Sequence, residues 1–340
     1  MPSNRLHLTA LTAAILGASA PACAADAPYP ARNVTIVVPF AAGGSADILT
    51  RGVAKGLNDL WGRGIIVGNR PGAASMIGAE YVANAEPDGY RLLHATSSYP
   101  GAVATRIRLP FDPAAAFVPV AMIARAPFVL AVHPSVPAKT VKEFIAAAKQ
   151  RTLTYSSSGA GGSNHFATEL FGQMAGIKMI HVPYKGIAPA VVGLISGEID
   201  AILASSPGVM AQVKAGRARA IAVSSAEPSP LIPGLPSIAQ SGLPGYAYEN
   251  WWGLFAPAKT PAGVVGTINV ATNKILISAE MKQMLDREGA GATPMSVAQL
   301  ADLLPKEIAL YRKMAQAAGM SRCSRSAHGW KRIPTRPPMS

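Results

Sequence analysis

The chain has 340 residues, material for about two domains. Apolar residues make up 49% and charged ones 14%, which excludes an intrinsically disordered protein. The net charge of +13 gathers at the ends: setting aside Arg5, Arg322, Arg325, Lys331, Arg332 and Arg336 leaves 25 Lys and Arg against 18 Asp and Glu, so no nucleic-acid partner is implied.

Met1–Leu6 carries Arg5, Leu8–Ala20 is an apolar run too short to span a bilayer, and Ala22-Cys23-Ala24 is an A-x-A cleavage site. Residues 1–24 are therefore expected to be a cleaved signal peptide that exports the protein. No later segment reaches about 18 uninterrupted apolar residues, so the mature protein is expected to be soluble. Cys23 leaves with the leader and Cys323 sits near the C-terminus, so the body has neither a disulfide nor thiolate chemistry.

The body alternates β-branched runs with amphipathic stretches. A strand at Val34–Val38, a helix at Ser45–Trp61, a strand at Gly64–Val67, a helix at Ala74–Ala85 and a strand at Tyr90–Ala95 predict a parallel β-α-β-α-β unit. The pattern restarts with a strand at Phe128–Val132 and a helix at Thr140–Gln150 that opens on a capping box, Thr140 with Glu143. Strands at Leu153–Ser156, Met179–Val182, Ile199–Leu203 and Ala218–Val223 follow, with helices at Asn164–Ala175 (Phe166, Leu170, Phe171 and Met174 inward) and Ala188–Ser196. After a Pro-rich connector come a strand at Trp251–Phe255, a helix at Pro261–Ala279 capped by Thr260, and a helix at Val297–Ala318.

Two glycine-rich loops each lie between a strand and a helix. The first runs from Pro39 to Asp47 and contains Phe40, Gly43, Gly44 and Ser45. Glycines let its backbone approach a ligand closely, and free N–H groups at the next helix start make a carboxylate or phosphate site. A plain turn with Ser45 as N-cap explains the same residues, and Asp47 is suited to bracing the loop. The second loop, Ser156 to His165, has the same design with more hydroxyls: Ser157, Ser158, Gly159, Gly161 and His165. One such loop per restart suggests a single carboxylate gripped from both sides. Thr96-Ser97-Ser98, Tyr184-Lys185-Gly186 and Ser205-Ser206 follow other strands, where open α/β sheets bind ligands, although an exposed Lys185 needs no ligand. Catalysis finds little support, since G-x-S-x-G, H-E-x-x-H and a nucleophilic Cys are all lacking; Ser158 near His165 has no evident third orienting group.

At these residues the chain resembles the tripartite tricarboxylate transporter substrate-binding receptors, the Bug or TctC-like family. The motifs are VPFAAGGSAD (Val38–Asp47), GNRPGAASMIGAE (Gly68–Glu80), PDGYRLL (Pro87–Leu93), TYSSSGAGGSNH (Thr154–His165), HVPYKG (His181–Gly186), AGRARAIAVSS (Ala215–Ser225) and GLPGY (Gly242–Tyr246). The resemblance implies an α/β periplasmic binding protein of the two-lobed type II kind, each lobe a mostly parallel sheet flanked by helices. Residues 25–125 and 226–320 would form lobe 1, residues 126–225 lobe 2, and residues 321–340 a disordered basic tail. It also implies a periplasmic monomer without enzymatic activity, cofactor or metal, which captures a small carboxylate and delivers it to membrane transporter subunits. A ligand sensor for a signalling receptor, or a hydrolase in the same cleft, are the alternatives. The family's ligand-binding positions carry over to Phe40, Gly43, Gly44, Ser45, Asp47, Ser157, Ser158, Gly159, Gly161 and His165, with Thr96, Ser97, Lys185 and Ser205 beside them. Gly68, Ala74, Gly162 and Ser205-Ser206 depart from the family's usual residues, and bear on the ligand's identity more than on the fold.

Overall fold

Val34 to Val38 are all β-branched, which favours the pleated conformation, and they form the buried strand β1 (Val34–Val38). The computed structural model describes residues 29–105, 111–317 and 320; the expected signal peptide and basic tail lie outside them. The first unit continues with α1 (Ser45–Trp61), β2 (Ile65–Asn69), α2 (Met76–Ala83) and β3 (Arg91–Thr96). β1 pairs in parallel with both β2 and β3, as the alternation predicts. α2 starts two residues later than expected, because Ala73, Ala74 and Ser75 all take positive φ and cannot belong to a right-handed helix.

A short helix, α3 (Ser98–Ala104), then leads to β4 (Phe117–Val132). Pro119 and Pro127 hide the first two-thirds of β4 from a sequence reading, and only its last five residues are expected. Pro119 is tolerated next to a register shift in the pairing, where the ladder is already interrupted. The second unit comprises α4 (Val141–Gln150), β5 (Thr154–Ser157), α5 (Ser163–Ala175), β6 (Ile180–Pro183), α6 (Ile187–Ile195), β7 (Ala201–Ser205), α7 (Ser206–Lys214) and β8 (Arg219–Val223). Thr140 caps α4 as expected, but Glu143 accepts the N–H of Lys139 instead of closing the box on Thr140. Phe166 and Phe171 point inward, whereas Met174 is exposed.

The chain returns through β9 (Glu249–Pro257), α8 (Ala262–Leu276), α9 (Ala279–Glu288), β10 (Gly291–Ala292), α10 (Val297–Leu300) and α11 (Leu303–Ala317). The helix expected over Pro261–Ala279 is α8, which stops at Leu276, and α9 follows it as an unexpected further helix, whereas the one expected over Val297–Ala318 is broken into α10 and α11. Ser278 caps α9 by accepting the Met281 N–H, and Thr260 donates to Pro257 O, leaving Pro261 as the cap of α8.

The strand order is β2-β1-β3-β9-β4-β7-β5-β6, and β4 belongs to both lobes. Its residues 117–127 pair with β9, while Phe128–Val132 pair with β7 and β8. β3 and β4 are both antiparallel to β9, so β1, β3 and the first part of β4 share one direction, and their carboxyl ends approach Pro127. In the second lobe Phe128 pairs with Ser205, which brings the carboxyl ends of β7 and its parallel neighbour β5 to the same place. Each lobe has apolar clusters on both faces of its sheet. Ile36, Leu49 and Trp252 centre one cluster of the first lobe, and Phe128, Phe144 and Phe171 one of the second.

The packing departs from a division at residue 225. Ile232, Ile238, Leu243 and Tyr246 sit in the clusters of the second lobe, so the chain stays there until Tyr248. α11 joins the lobes, with Leu304 and Ile308 in a first-lobe cluster and Tyr311 and Ala315 in a second-lobe one. Beside the crossing, the fully buried Ser224 accepts the Phe128 N–H at 2.7 Å and donates to Tyr248 O, while the Tyr248 N–H returns to Ser224 O at 2.8 Å. Ser224→Ala leaves a buried N–H and a carbonyl short of partners, and should cost about 2 kcal/mol, measured by denaturant unfolding; an unchanged midpoint would show that the knot carries no stability.

Candidate functional site

The crossing gathers four helix starts. α1 and α3 begin just beyond β1 and β3, and α5 and α7 just beyond β5 and β7. Between them lies a narrow cavity of about 360 Å³ with its open mouth included. Phe40, Phe128, Ile187 and Trp252 form its apolar walls. Gly44 and Ser45 at the start of α1 face Ser163 and Asn164 at the start of α5, so the positive dipole ends of two helices converge on it, with the Ser163 N–H donating to Ser98 Oγ at 3.0 Å.

The lobes touch directly. Ser205 Oγ donates to Ser45 Oγ at 3.0 Å, Ser98 Oγ and Ser163 Oγ are 3.0 Å apart, and the Ala41 N–H donates to Lys185 O at 3.1 Å. These bonds describe a closed cleft.

Two buried donors of residues that line the cavity have no partner among the described residues. Asn164 Oδ1 accepts the Ser158 N–H at 3.2 Å and the Ser158 hydroxyl at 2.9 Å, which fixes the amide orientation and leaves Nδ2 unpaired. Trp252 Nε1 is likewise unpaired. A buried polar group without a partner costs about 1–3 kcal/mol, so both donors are set for an acceptor from outside. Among the described residues no charged side chain lines this cavity.

The residues expected at the site divide into two sets. Phe40, Gly44, Ser45, Thr96, Ser158 and Ser205 line the cavity. Gly43, Asp47, Ser97, Ser157, Gly159, Gly161, His165 and Lys185 do not. Asp47 braces the first loop: its carboxylate accepts from the Gly43 N–H at 2.9 Å, Arg51 Nε at 3.0 Å and Asn69 Nδ2 at 3.0 Å. Burial opposes its charge, but these bonds, led by Arg51, outweigh it and hold the carboxyl below the usual range. Ser97 donates to Asn250 Oδ1 at the back of the wall. Gly159 and Lys185 belong to an outer space at the cleft's edge. Ser98, which follows Thr96 and Ser97 at the end of β3, lines the cavity as well, and Ser163, Asn164, Asn250 and Trp252 were not expected. Ser163 and Asn164 stand within the Ser/Gly motif, whereas Asn250 and Trp252 arrive from a strand nearly a hundred residues downstream.

His165 works behind the second loop. It stacks on His181 with ring centroids 3.9 Å apart, and His181 stacks on Tyr155. The Gly161 N–H donates to His165 Nδ1 at 3.0 Å, which puts the ring proton on Nε2. Ser157 Oγ meets His181 Nε2. Burial lowers both imidazoles to about 4, with the neighbouring His165 adding to the effect on His181, and burial lowers His94 to about 3. Ser158 is bonded to Asn164 and the His165 acceptor nitrogen is occupied by Gly161, so the two do not form a nucleophile and base. Among the described residues no cluster of three His, Cys, Asp or Glu is placed to hold a metal, and no helix is long and apolar enough to cross a membrane.

The family model of the tripartite tricarboxylate transporter family receptor matches residues 49–320. The chain belongs to that family. Among solved structures, R. palustris Rpa4515 with adipate is 35% identical, with a TM-score of 0.82 over 86% of this chain and 98% of that one. The periplasmic binding protein BugD is 26% identical, with a TM-score of 0.83 over 86% and 99% of the two chains. MatC from Rhodopseudomonas palustris with bound malate is 29% identical, with a TM-score of 0.80 over 84% and 99%. The chain is therefore a solute-binding receptor of a family of two-lobed periplasmic binding proteins, not an enzyme.

The buried imidazoles predict a pH dependence of stability. The unfolded chain takes up protons below about pH 6.5, and the folded one does not until about pH 4. Stability is thus fully present above pH 6.5 and falls as pH drops toward 4, by at most about 1.4 kcal/mol per pH unit for each histidine. The melting temperature should fall from pH 7 to pH 5, less steeply in His181→Asn; a flat profile would contradict the neutral buried pair.

Proposed function

We propose that this receptor captures a small carboxylate between its lobes in the periplasm and delivers it to a membrane transporter of the tripartite tricarboxylate type. The observation that carries the reading is the pair of unpartnered donors, Asn164 Nδ2 and Trp252 Nε1, beside the opposed starts of α1 and α5. A carboxylate is acceptor-only and negatively charged, so it satisfies donors on both lobes without a counter-cation. The adipate and malate bound by two of the related structures support the same class of solute.

Capture follows from closure. In an open form either lobe offers half of the donors, and a carboxylate bound there favours the form in which the other half is in reach. The closed form, with Ser45 against Ser205 and Ala41 against Lys185, is the shape that a transporter subunit would read.

Thermal shift with mono-, di- and tricarboxylates against their neutral amides tests the reading. A ligand at 100 times its Kd should add about 2.7 kcal/mol, a rise of a few degrees. Asn164→Asp keeps the acceptor that Ser158 uses and replaces the free donor by a charged acceptor. It should weaken carboxylate binding by at least about a hundredfold. Equal shifts with acid and amide, or full affinity in Asn164→Asp, would sink the carboxylate assignment.

A further inference from the structure

Asn250 stands where the two lobes meet. In the pairing of β9 with β4 it lies opposite Ala126, next to Pro127, where β4 leaves the first sheet. It is 4% exposed, and it lines the inner cavity. The Ser97 hydroxyl of the first lobe donates to Asn250 Oδ1, and the Ser163 hydroxyl of the second lobe donates to the same oxygen at 3.3 Å. Two hydroxyl donors fix Oδ1 as the acceptor of this planar group. Its other arm, Nδ2, meets no acceptor among the described residues.

The two hydroxyls are not equivalent. Ser97 is buried, and its N–H donates to Trp251 O at 3.3 Å, so it is tied to the strand that carries Asn250. Ser163 opens α5 in the second lobe, and its N–H donates to Ser98 Oγ across the lobe boundary at 3.0 Å. Its bond to Asn250 therefore belongs to the closed arrangement. One amide thus has an oxygen shared by both lobes and a nitrogen left for the cavity. Such a group is polarised as a unit: an acceptor placed on Nδ2 makes Oδ1 a stronger acceptor for both hydroxyls.

Resting on the carboxylate reading above, we propose that Asn250 is a third donor to the solute and the residue that couples its capture to closure. Nδ2 donates to the anion, and Oδ1 receives Ser163 as the second lobe arrives. Ser97 is a positioning residue. It does not line the cavity, but it holds the amide so that the nitrogen, and not the oxygen, is offered to an acceptor.

Calorimetric titration of the wild type, Ser97→Ala, Asn250→Ala and the double variant with acetate, malate, adipate and citrate tests this, with circular dichroism melts reporting that each folds. With the carboxylate that the wild type binds most tightly, Ser97→Ala should weaken binding about tenfold when Asn250 is present and less than about twofold when it is replaced. Asn250→Asp keeps an acceptor for both hydroxyls and loses the donor, and should weaken binding about a hundredfold. A second reading needs no variant: by NMR of the wild type, one side-chain amide proton of Asn250 should move downfield as the carboxylate saturates. Equal losses from Ser97→Ala in both backgrounds, full affinity in Asn250→Asp, or amide protons that stay in place would overturn the role of Asn250 and leave the carboxylate reading standing. A wild-type protein that binds none of the four acids would overturn both.

Discussion

Everything at the cleft depends on one strand serving two sheets. β4 leaves the first lobe at Pro127 and enters the second at Phe128 without a break. Because its pairing partner changes there from β9 to β7, the carboxyl ends of β1 and β3 are turned toward those of β5 and β7. Helices that follow parallel strands start at those ends, so four helix starts meet across a few ångströms with no loop designed to bring them there. The Ser224 knot holds the neighbouring chain segment to the crossing. The site is therefore a consequence of topology, and the glycines of its two loops keep the backbones thin enough to approach.

The electrostatics of the cavity follow from that geometry. An anion placed between opposed helix starts is met by N–H groups and neutral side-chain donors, and needs no lysine or arginine in contact. Ionised side chains are kept one step back. Asp47 is occupied by Gly43, Asn69 and Arg51, so it stiffens the first loop without presenting free charge to the cavity. His165 and His181 do the equivalent for the second loop, as a neutral stack whose nitrogens tie down Gly161 and Ser157. Recognition by such donors depends on direction and distance. That suits a receptor in which both lobes must close around a solute of the right shape, and in which the fixed wall of Trp252, Phe128 and Ile187 excludes water.

Much of this was legible in the sequence, and the exceptions have physical causes. The β-branched run at Val34–Val38 and the apolar face of α1 fixed those elements to the residue. The two glycine loops were legible too, and Phe40, Gly44, Ser45 and Ser158 from them line the cavity. What sequence missed came from two sources. Pro119 and Pro127 disguised a sixteen-residue strand, which is the element that unites the lobes. Asn250 and Trp252 belong to a strand that pairs with β3 and β4 across more than a hundred residues, and a local pattern says nothing of what such a strand faces. Asn164 shows the complementary case: its motif was visible, but which of its amide atoms is free depends on two hydrogen bonds from Ser158.

The indole N–H of Trp252 reports on the central claim most directly, because it carries one proton and, like Asn164 Nδ2, is buried without a partner among the described residues. The measurement is the nitrogen–proton NMR resonance of that indole, assigned by its loss in Trp252→Phe, during titration with a carboxylate that raises the melting temperature. Hydrogen bonding to a carboxylate should move the proton markedly downfield as the ligand saturates. A Trp252 resonance that stays in place at saturation would contradict a carboxylate clasped at the junction of the lobes.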